Sequence, residues 1–167
     1  MGNGLMELLS SMDKDWLTVL SRLLIAVLAG GLIGLERSYH GRPAGFRTHT
    51  LVCVASSLLM LVTVFEDKWF VDVAFDSVRI DPTRMAQGVM TGIGFLGAGV
   101  IMKSGLNIRG LTTAASIWIT AAIGILAGVG FYSAVLIAST LTLGTLTLFR
   151  KIESKMPSQI FAHLTIA

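Results

Sequence analysis

Five long apolar stretches dominate this sequence of 167 residues and leave few folds open to it. Each is close to the roughly 17–25 residues with which a helix crosses about 30 Å of hydrocarbon. Only 14% of the residues are charged and the mean hydropathy is +0.76, whereas soluble domains carry about 25% charged residues. The sequence therefore predicts an all-α membrane protein with five transmembrane helices within residues 1–150 and excludes an ordinary soluble domain. The predicted spans are residues 17–35, 50–65, 85–102, 111–129 and 132–149.

The few charged side chains divide unequally between the two sides that such spans create. Eight Lys and Arg and two acids fall on the side of the 36–49 loop, whereas four Lys and Arg and eight acids fall on the other side. By the positive-inside rule, the amino terminus is expected outside and the carboxyl terminus in the cytoplasm. Basic loops beside a cytoplasmic leaflet are explained by the lipid bilayer itself, so we expect no nucleic-acid partner.

Glycines recur at helix-packing intervals in three of the spans, and such spacing lets helix backbones approach closely. Packing within one bundle and a homodimer face would both use it, and the sequence leaves both open. The third span also fits the pattern G-x-G-x-x-G, but no strand precedes it, so we do not interpret it as a nucleotide site. Its glycines instead predict a closely packed or locally broken helix. The glycines assigned to close packing are Gly30, Gly34, Gly88, Gly92, Gly94, Gly97 and Gly99.

Two polar features are expected near the outer ends of the spans. Asp81 followed by Pro82 is the pattern of a helix N-cap and first helical residue. Arg22 lies five residues into the first span, where a guanidinium needs an acceptor or a route back to the interface. Because Asp81 lies at a similar outer depth, we expect Arg22 to lie close to it, with Arg84 nearby.

A second polar group is expected at the inner end of the first two spans, around Glu36. The turn residues Gly41, Pro43 and Gly45 predict a tight connection here. The simplest interpretation pairs Glu36 with a neighbouring arginine in a salt-bridged loop. The alternative is a functional pocket for an anionic headgroup, a phosphate or an acidic partner. The residues that surround Glu36 in the sequence are Arg37, His40, Arg42, Arg47 and His49.

Several segments together resemble the MgtC/SapB family of bacterial inner-membrane proteins over most of residues 17–149. They are GLER at 34–37, AGFRTHTLV at 44–52, GIGFLGAGVI at 92–101 and IRGLTTAA at 108–115. The resemblance implies a multi-pass protein of the bacterial inner membrane that is linked to magnesium limitation and to virulence through survival inside macrophages. The family motif positions in this sequence are Glu36, Arg37, Arg47, Thr48, His49, Arg84, Asn107, Arg109, Gly110, Thr112 and Thr113.

Three functions follow from these observations. The resemblance implies a regulator that binds partner membrane proteins such as ATP synthase. The alternative is a magnesium-linked or small-ion transporter, with polar sites at Arg22/Asp81/Arg84 and at Glu36/Arg47. An enzyme would rest only on Thr48 and His49 beside basic residues, and we expect no enzymatic activity.

No cofactor is expected beyond weak magnesium binding by the acids of the 66–81 loop. Many relatives continue into a cytoplasmic domain that resembles the ACT fold. Residues 151–167 are therefore expected to be a cytoplasmic tail, which is either the beginning of such a domain or a partly ordered helix end.

Overall fold

The computed structural model describes residues 2–66, 81–105 and 107–154. This part of the chain is mainly helical, and a two-stranded hairpin joins the third helix to the fourth. The elements are α1 (Gly2–Tyr39), α2 (Phe46–Val64), α3 (Pro82–Val100), β1 (Met102–Ser104), β2 (Asn107–Arg109), α4 (Leu111–Val129), α5 (Tyr132–Gly144), a π-helical segment (Thr145–Phe149) and α6 (Arg150–Glu153).

Four helical segments in the described residues are long and apolar enough to cross a membrane. The helix α3 is not among them although it has 19 residues, because Arg84, Gln87 and five glycines lower its mean hydropathy. The described chain thus has the architecture of a helical, multi-pass membrane protein. The four segments are Asp15–Tyr39, Phe46–Val64, Leu111–Val129 and Tyr132–Ile152.

The predicted boundaries of the third span, and the expectation of a purely helical chain, need correction. The helix α3 ends at Val100, and Met102 pairs with Arg109 in the antiparallel hairpin. Gly110 has φ +93°, and a Cβ at this position would collide with the carbonyl oxygen of Val100. Only glycine combines this left-handed backbone with so close an approach. The chain therefore leaves the helix and turns before α4 begins.

The helices α2 and α4 form the centre of the bundle, and α1 packs against both. Three contacts made by glycines bring these backbones together. A Cβ on Gly30 would lie 2.6 Å from Cys53 Cβ, and one on Gly128 would lie 2.5 Å from the Ser57 carbonyl oxygen. Gly34 is equally close to Phe46. Because a lipid environment supplies no hydrophobic drive between helices, such close backbone contact is what holds them together.

The glycines of α3, by contrast, lie outside the close packing of this chain. Gly97 alone among the five approaches a neighbour, with its Cβ position 3.7 Å from Ala114 Cβ, while Val89 and Ile93 are the other buried residues of the helix. The helix is also continuous from Pro82 to Val100, so the expected local break does not occur. The glycines with no other described atom within 4 Å of a Cβ position are Gly88, Gly92, Gly94 and Gly99.

Candidate functional site

The carboxyl end of α1 and the short helix α6 meet the amino ends of α2 and α4 at one end of the bundle, which we call the arginine end. Its centre is the Glu36 carboxylate, whose side chain is only 7% exposed. Glu36 Oε2 lies 3.8 Å from Arg37 Nη1, and Oε1 lies 3.6 Å from Arg150 Nη1 and 3.0 Å from His40 Nδ1. The expected pairing of Glu36 with a neighbouring arginine is therefore present, and Arg150 and His40 extend it.

None of these contacts is a well-aligned hydrogen bond, and both carboxylate oxygens of Glu36 are buried without a hydrogen-bond partner in the described structure. The geometry of His40 explains part of this. Its Nδ1 lies 2.7 Å from the main-chain carbonyl oxygen of Glu36. A carbonyl can only accept, so the Nδ1 proton is directed to the backbone and not to Oε1.

Arg37 links this carboxylate to the start of α4. Its side chain is buried, and Nη2 lies 3.4 Å from the Thr113 hydroxyl oxygen, to which it donates a long hydrogen bond. The Arg37 Nε has no partner among the described residues. A buried guanidinium with a free N–H is costly in an apolar environment, so this group is under-satisfied in the isolated chain.

A buried hydrogen-bond network continues from Thr113 to His49 on α2. His49 Nδ1 lies 3.0 Å from the Gly45 carbonyl oxygen, and His49 Nε2 lies 3.0 Å from Ser116 Oγ. Ser116 Oγ in turn lies 2.8 Å from the Thr113 carbonyl oxygen. Three contacts need three protons, whereas a neutral imidazole and one hydroxyl supply two. The Ser116 hydroxyl therefore donates either to His49 or to Thr113 when the imidazole is neutral.

The other predicted residues of this end stand at the surface of the described structure. Arg47 and Thr48 are exposed in the first turn of α2, and Asn107, Arg109 and Thr112 are exposed in the hairpin and at the start of α4. In the described structure, no side-chain hydrogen bond or ion pair joins them to the buried cluster. Sequence reasoning missed Arg150 and Ser116. The alternation of the spans places Arg150 on the same side as Glu36, but only packing brings the two side chains together.

A cavity of about 460 Å³ lies between α4 and α5, beginning at the arginine end. Thr112, Ser116 and Thr145 line it together with apolar residues that include Ile119 and Leu141. The π-helical segment that contains Thr145 forms part of its wall. Such segments interrupt regular helices frequently at functional sites.

The expected pairing of Arg22 with Asp81 is not formed. Arg22 Nη1 instead donates a hydrogen bond of 2.8 Å to the Gly128 carbonyl oxygen, near the carboxyl end of α4. Its guanidinium also covers Gly130, which ends that helix with φ +89°. The negative end of the helix dipole supplies the acceptor that this half-buried cation needs. The sequence could not show that a helix end, and not a carboxylate, would meet Arg22.

Asp81 has a local role at the start of α3. Its Oδ1 accepts hydrogen bonds from the Thr83 hydroxyl at 2.6 Å and from the Thr83 N–H at 2.9 Å. These bonds, with a smaller contribution from Arg84, hold the pKa of Asp81 below its usual value. Arg84 Nε lies 3.9 Å from Asp81 Oδ2, and both side chains are largely exposed. This is a helix cap at an exposed terminus and not a buried polar site.

No group of three or more His, Cys, Asp or Glu side chains that could hold a metal ion occurs in the described part of the chain. The acidic residues between 67 and 80, to which weak magnesium binding was assigned, lie outside the described residues, as does the tail from residue 155 onward.

Apolar helices long enough to span a bilayer, with most charged groups near their ends, define a helical multi-pass membrane protein. The family model of the MgtC family matches residues 23–155. The chain belongs to the MgtC family, which confirms the resemblance seen in the sequence.

Three relatives show how far the similarity extends. The protein named "Putative magnesium transporter YhiD" of Escherichia coli (strain K12) is 43% identical over 146 residues, which cover 87% of this chain and 66% of the relative. Protein SrpB of Synechococcus elongatus is 44% identical over 147 residues, covering 83% and 79%. Protein MgtC of Brucella abortus (strain 2308) is 42% identical over 134 residues, covering 80% and 52%.

The chain spans about two thirds of the length of YhiD and about half of that of MgtC. No solved structure matches it.

Proposed function

We propose that this chain is a regulatory protein of the bacterial inner membrane that acts by binding a partner membrane protein through α3. The observation that carries the proposal is the exposed glycine surface of that helix. Gly88 and Gly92 are four residues apart and have no described atom within 4 Å of a Cβ position. The same spacing at Gly124 and Gly128 is filled by the α2 backbone. An unfilled small-x-x-x-small surface is suited to a further transmembrane helix.

The groove beside these glycines supports the same proposal. A cavity of about 480 Å³ lies between α2 and α3, and its walls include Leu51, Leu59, Met85 and Leu96 together with Gly88 and Gly92. Its lining is almost entirely apolar. Side chains of a partner helix that crosses α3 at the glycines would have an apolar groove to enter, and backbone contact and side-chain packing would then add together.

The proposal places α3 across the membrane as a fifth span, with the arginine end in the cytoplasm. The helices α2 and α4 run in the same direction, because Cys53 meets Gly124 and Ser57 meets Gly128. The chain must therefore return between them. Nineteen helical residues extend about 28 Å, close to the thickness of the hydrocarbon core. Cysteine labelling from either side of inverted vesicles tests this arrangement, with reporters at Ser154 and at Asn3 in a Cys53→Ala background.

The proposed partner is ATP synthase. By binding it, this protein would act in magnesium limitation and virulence as a regulator and would itself catalyse no reaction. The test is co-purification of ATP synthase with the tagged full chain from membranes, together with ATP-driven proton pumping in inverted vesicles. Gly92→Leu should abolish both the co-purification and the inhibition of pumping. Gly144→Leu is the matched control, because Gly144 of α5 is equally open and the added side chain is the same.

The outcomes separate the alternatives. Loss of ATP synthase with Gly92→Leu but not with Gly144→Leu supports the proposal. A change from dimer to monomer with Gly92→Leu, and no ATP synthase in either sample, would assign the surface to a homodimer. Unchanged co-purification in both variants would refute the role of α3. If the α3 variant leaves co-purification unchanged, the next residues to replace are Asn107 and Thr112, which are at family motif positions.

A magnesium-linked or small-ion transporter is the second candidate, and the buried Glu36 carboxylate favours it. Such intramembrane ionisable groups commonly mark ion or proton pathways. The name of the relative YhiD includes magnesium transport. Magnesium or proton flux into liposomes that contain the purified chain tests it. Flux that disappears with Glu36→Gln but persists with Asp81→Asn would support transport through the arginine end.

A further inference from the structure

We propose that the arginine end binds the phosphate group of an anionic phospholipid headgroup, between the start of α4 and the side chains of Arg37 and Arg150. None of these residues lies on α3, so the proposal is independent of the partner surface described above. Three observations carry it: an excess of positive charge, donors without acceptors, and the shape of the adjoining cavity.

Among the side chains that the structure describes, the excess of positive charge surrounds one carboxylate. Glu36 faces Arg37 and Arg150 at 3.8 and 3.6 Å, and both arginines are permanently charged. The exposed Arg42 follows the end of α1, and its N–H donates to the Arg37 carbonyl oxygen at 3.1 Å. In the described part of this end, one negative charge thus balances only part of the cationic cluster. A buried cation without compensation is costly, so a further anion here would be strongly favoured.

Donors without acceptors converge at the start of α4. Gly110 has no side chain to cap the helix, and the first helical hydrogen bond runs from the Ala114 N–H to the Gly110 carbonyl. The amides of residues 111–113 therefore have no acceptor within the helix. Arg37, only 4% exposed, reaches Thr113 of this same turn and keeps its Nε without a partner. Backbone amides and a guanidinium are the donors that phosphate oxygens accept from.

The cavity between α4 and α5 favours a lipid over a free ion. Thr112 and Thr145 stand at its end nearest the arginines, whereas Ile119 and Ala138 line it deeper along the helices. An apolar wall that extends from the arginine end matches the direction of an acyl chain whose headgroup binds the arginines. Free phosphate would occupy only the end nearest the arginines. Basic pockets between helices on the cytoplasmic side are known sites for anionic headgroups.

The test measures phosphatidylglycerol binding to the purified full chain by native mass spectrometry, with phosphatidylcholine as the zwitterionic control. Arg150→Gln should weaken phosphatidylglycerol binding by about tenfold, the effect of one charge-assisted hydrogen bond. Arg150→Lys should keep most of the affinity, because it keeps the charge. Lys151→Gln is the matched control: it removes the same charge from the exposed neighbouring residue and should change binding by less than about twofold.

Inorganic phosphate that displaces phosphatidylglycerol at millimolar concentration would support the site and show that the free ion also occupies it. Equal weakening by Arg150→Gln and Lys151→Gln would overturn the proposal, because only general surface charge would then be involved. The proposal would also be overturned if the wild-type chain bound phosphatidylglycerol no better than phosphatidylcholine. This comparison uses the wild-type chain alone, so it does not depend on whether a variant folds.

Discussion

Replacing Gly30 by alanine should destabilise the bundle, because its added methyl group has no space. The Cβ would stand 2.6 Å from Cys53 Cβ, 2.8 Å from the His49 carbonyl oxygen and 3.1 Å from Thr50 Cα. Comfortable carbon contacts are about 3.5–4.0 Å, so α1 and α2 would have to separate by roughly 1 Å. Two of the three atoms belong to the backbone and cannot turn away. Overpacking of this kind costs about 1–3 kcal/mol.

Helix propensity opposes this loss. Alanine favours a helix over glycine by about 1 kcal/mol, and the overpacking cost is about 2 kcal/mol at the middle of its range, so the net loss expected for Gly30→Ala is about 1 kcal/mol. Gly92→Ala is the matched control, since the same methyl group meets no described atom within 4 Å. We expect that variant to be unchanged or more stable by up to about 1 kcal/mol.

The assay is equilibrium unfolding of the purified chain in mixed micelles of dodecyl maltoside and dodecyl sulfate, followed by far-ultraviolet circular dichroism. Because both variants share the gain in helix propensity, their free energies of unfolding should differ by the overpacking cost, about 1–3 kcal/mol. If they agree within about 0.5 kcal/mol, the size of an ordinary surface effect, then α1 and α2 are not packed as the structure has them.

Three further changes address the polar groups, and the first two use the same unfolding assay. Glu36→Gln should lower the free energy of unfolding by about 3 kcal/mol, because it leaves the nearby arginines uncompensated, and adding Arg150→Gln should recover about 1 kcal/mol of this loss. If the losses of the two single variants simply add, then Glu36 and Arg150 do not interact. Arg22→Met should cost about 2 kcal/mol, because a charged hydrogen bond to the last turn of α4 is lost, and a neutral result would exclude that capping role. The Asp81 carboxylate has a lowered pKa in the folded chain, so its contribution is complete above the usual pKa of about 3.9 and is lost as the pH falls through the lowered value. The first turn of α3 should then exchange its amide hydrogens faster at low pH, whereas Asp81→Asn, which keeps the acceptor but cannot titrate, should show no such dependence.

The helical elements could be anticipated because long apolar runs have few solutions in a bilayer. The predicted span 111–129 coincides with α4, and Asp81 with Pro82 marks the start of α3. The end of α3 could not be placed, since the hairpin that follows depends on how Gly110 meets the Val100 backbone. The glycine intervals alone were also ambiguous. The same spacing is buried at Gly30 and open at Gly92, and nothing in the local sequence distinguishes the two.

The sequence by itself determined that this chain is a helical membrane protein of the MgtC family, with its charges gathered towards helix ends. Hydropathy and the order of motifs are properties of the sequence, and they do not depend on which helices are in contact. The tertiary structure decided which charges meet. It gave Arg22 a helix end and not Asp81 as its partner, and it brought Arg150 to Glu36 across more than a hundred residues. Such pairings depend on the rotation and direction of packed helices, which hydropathy does not encode.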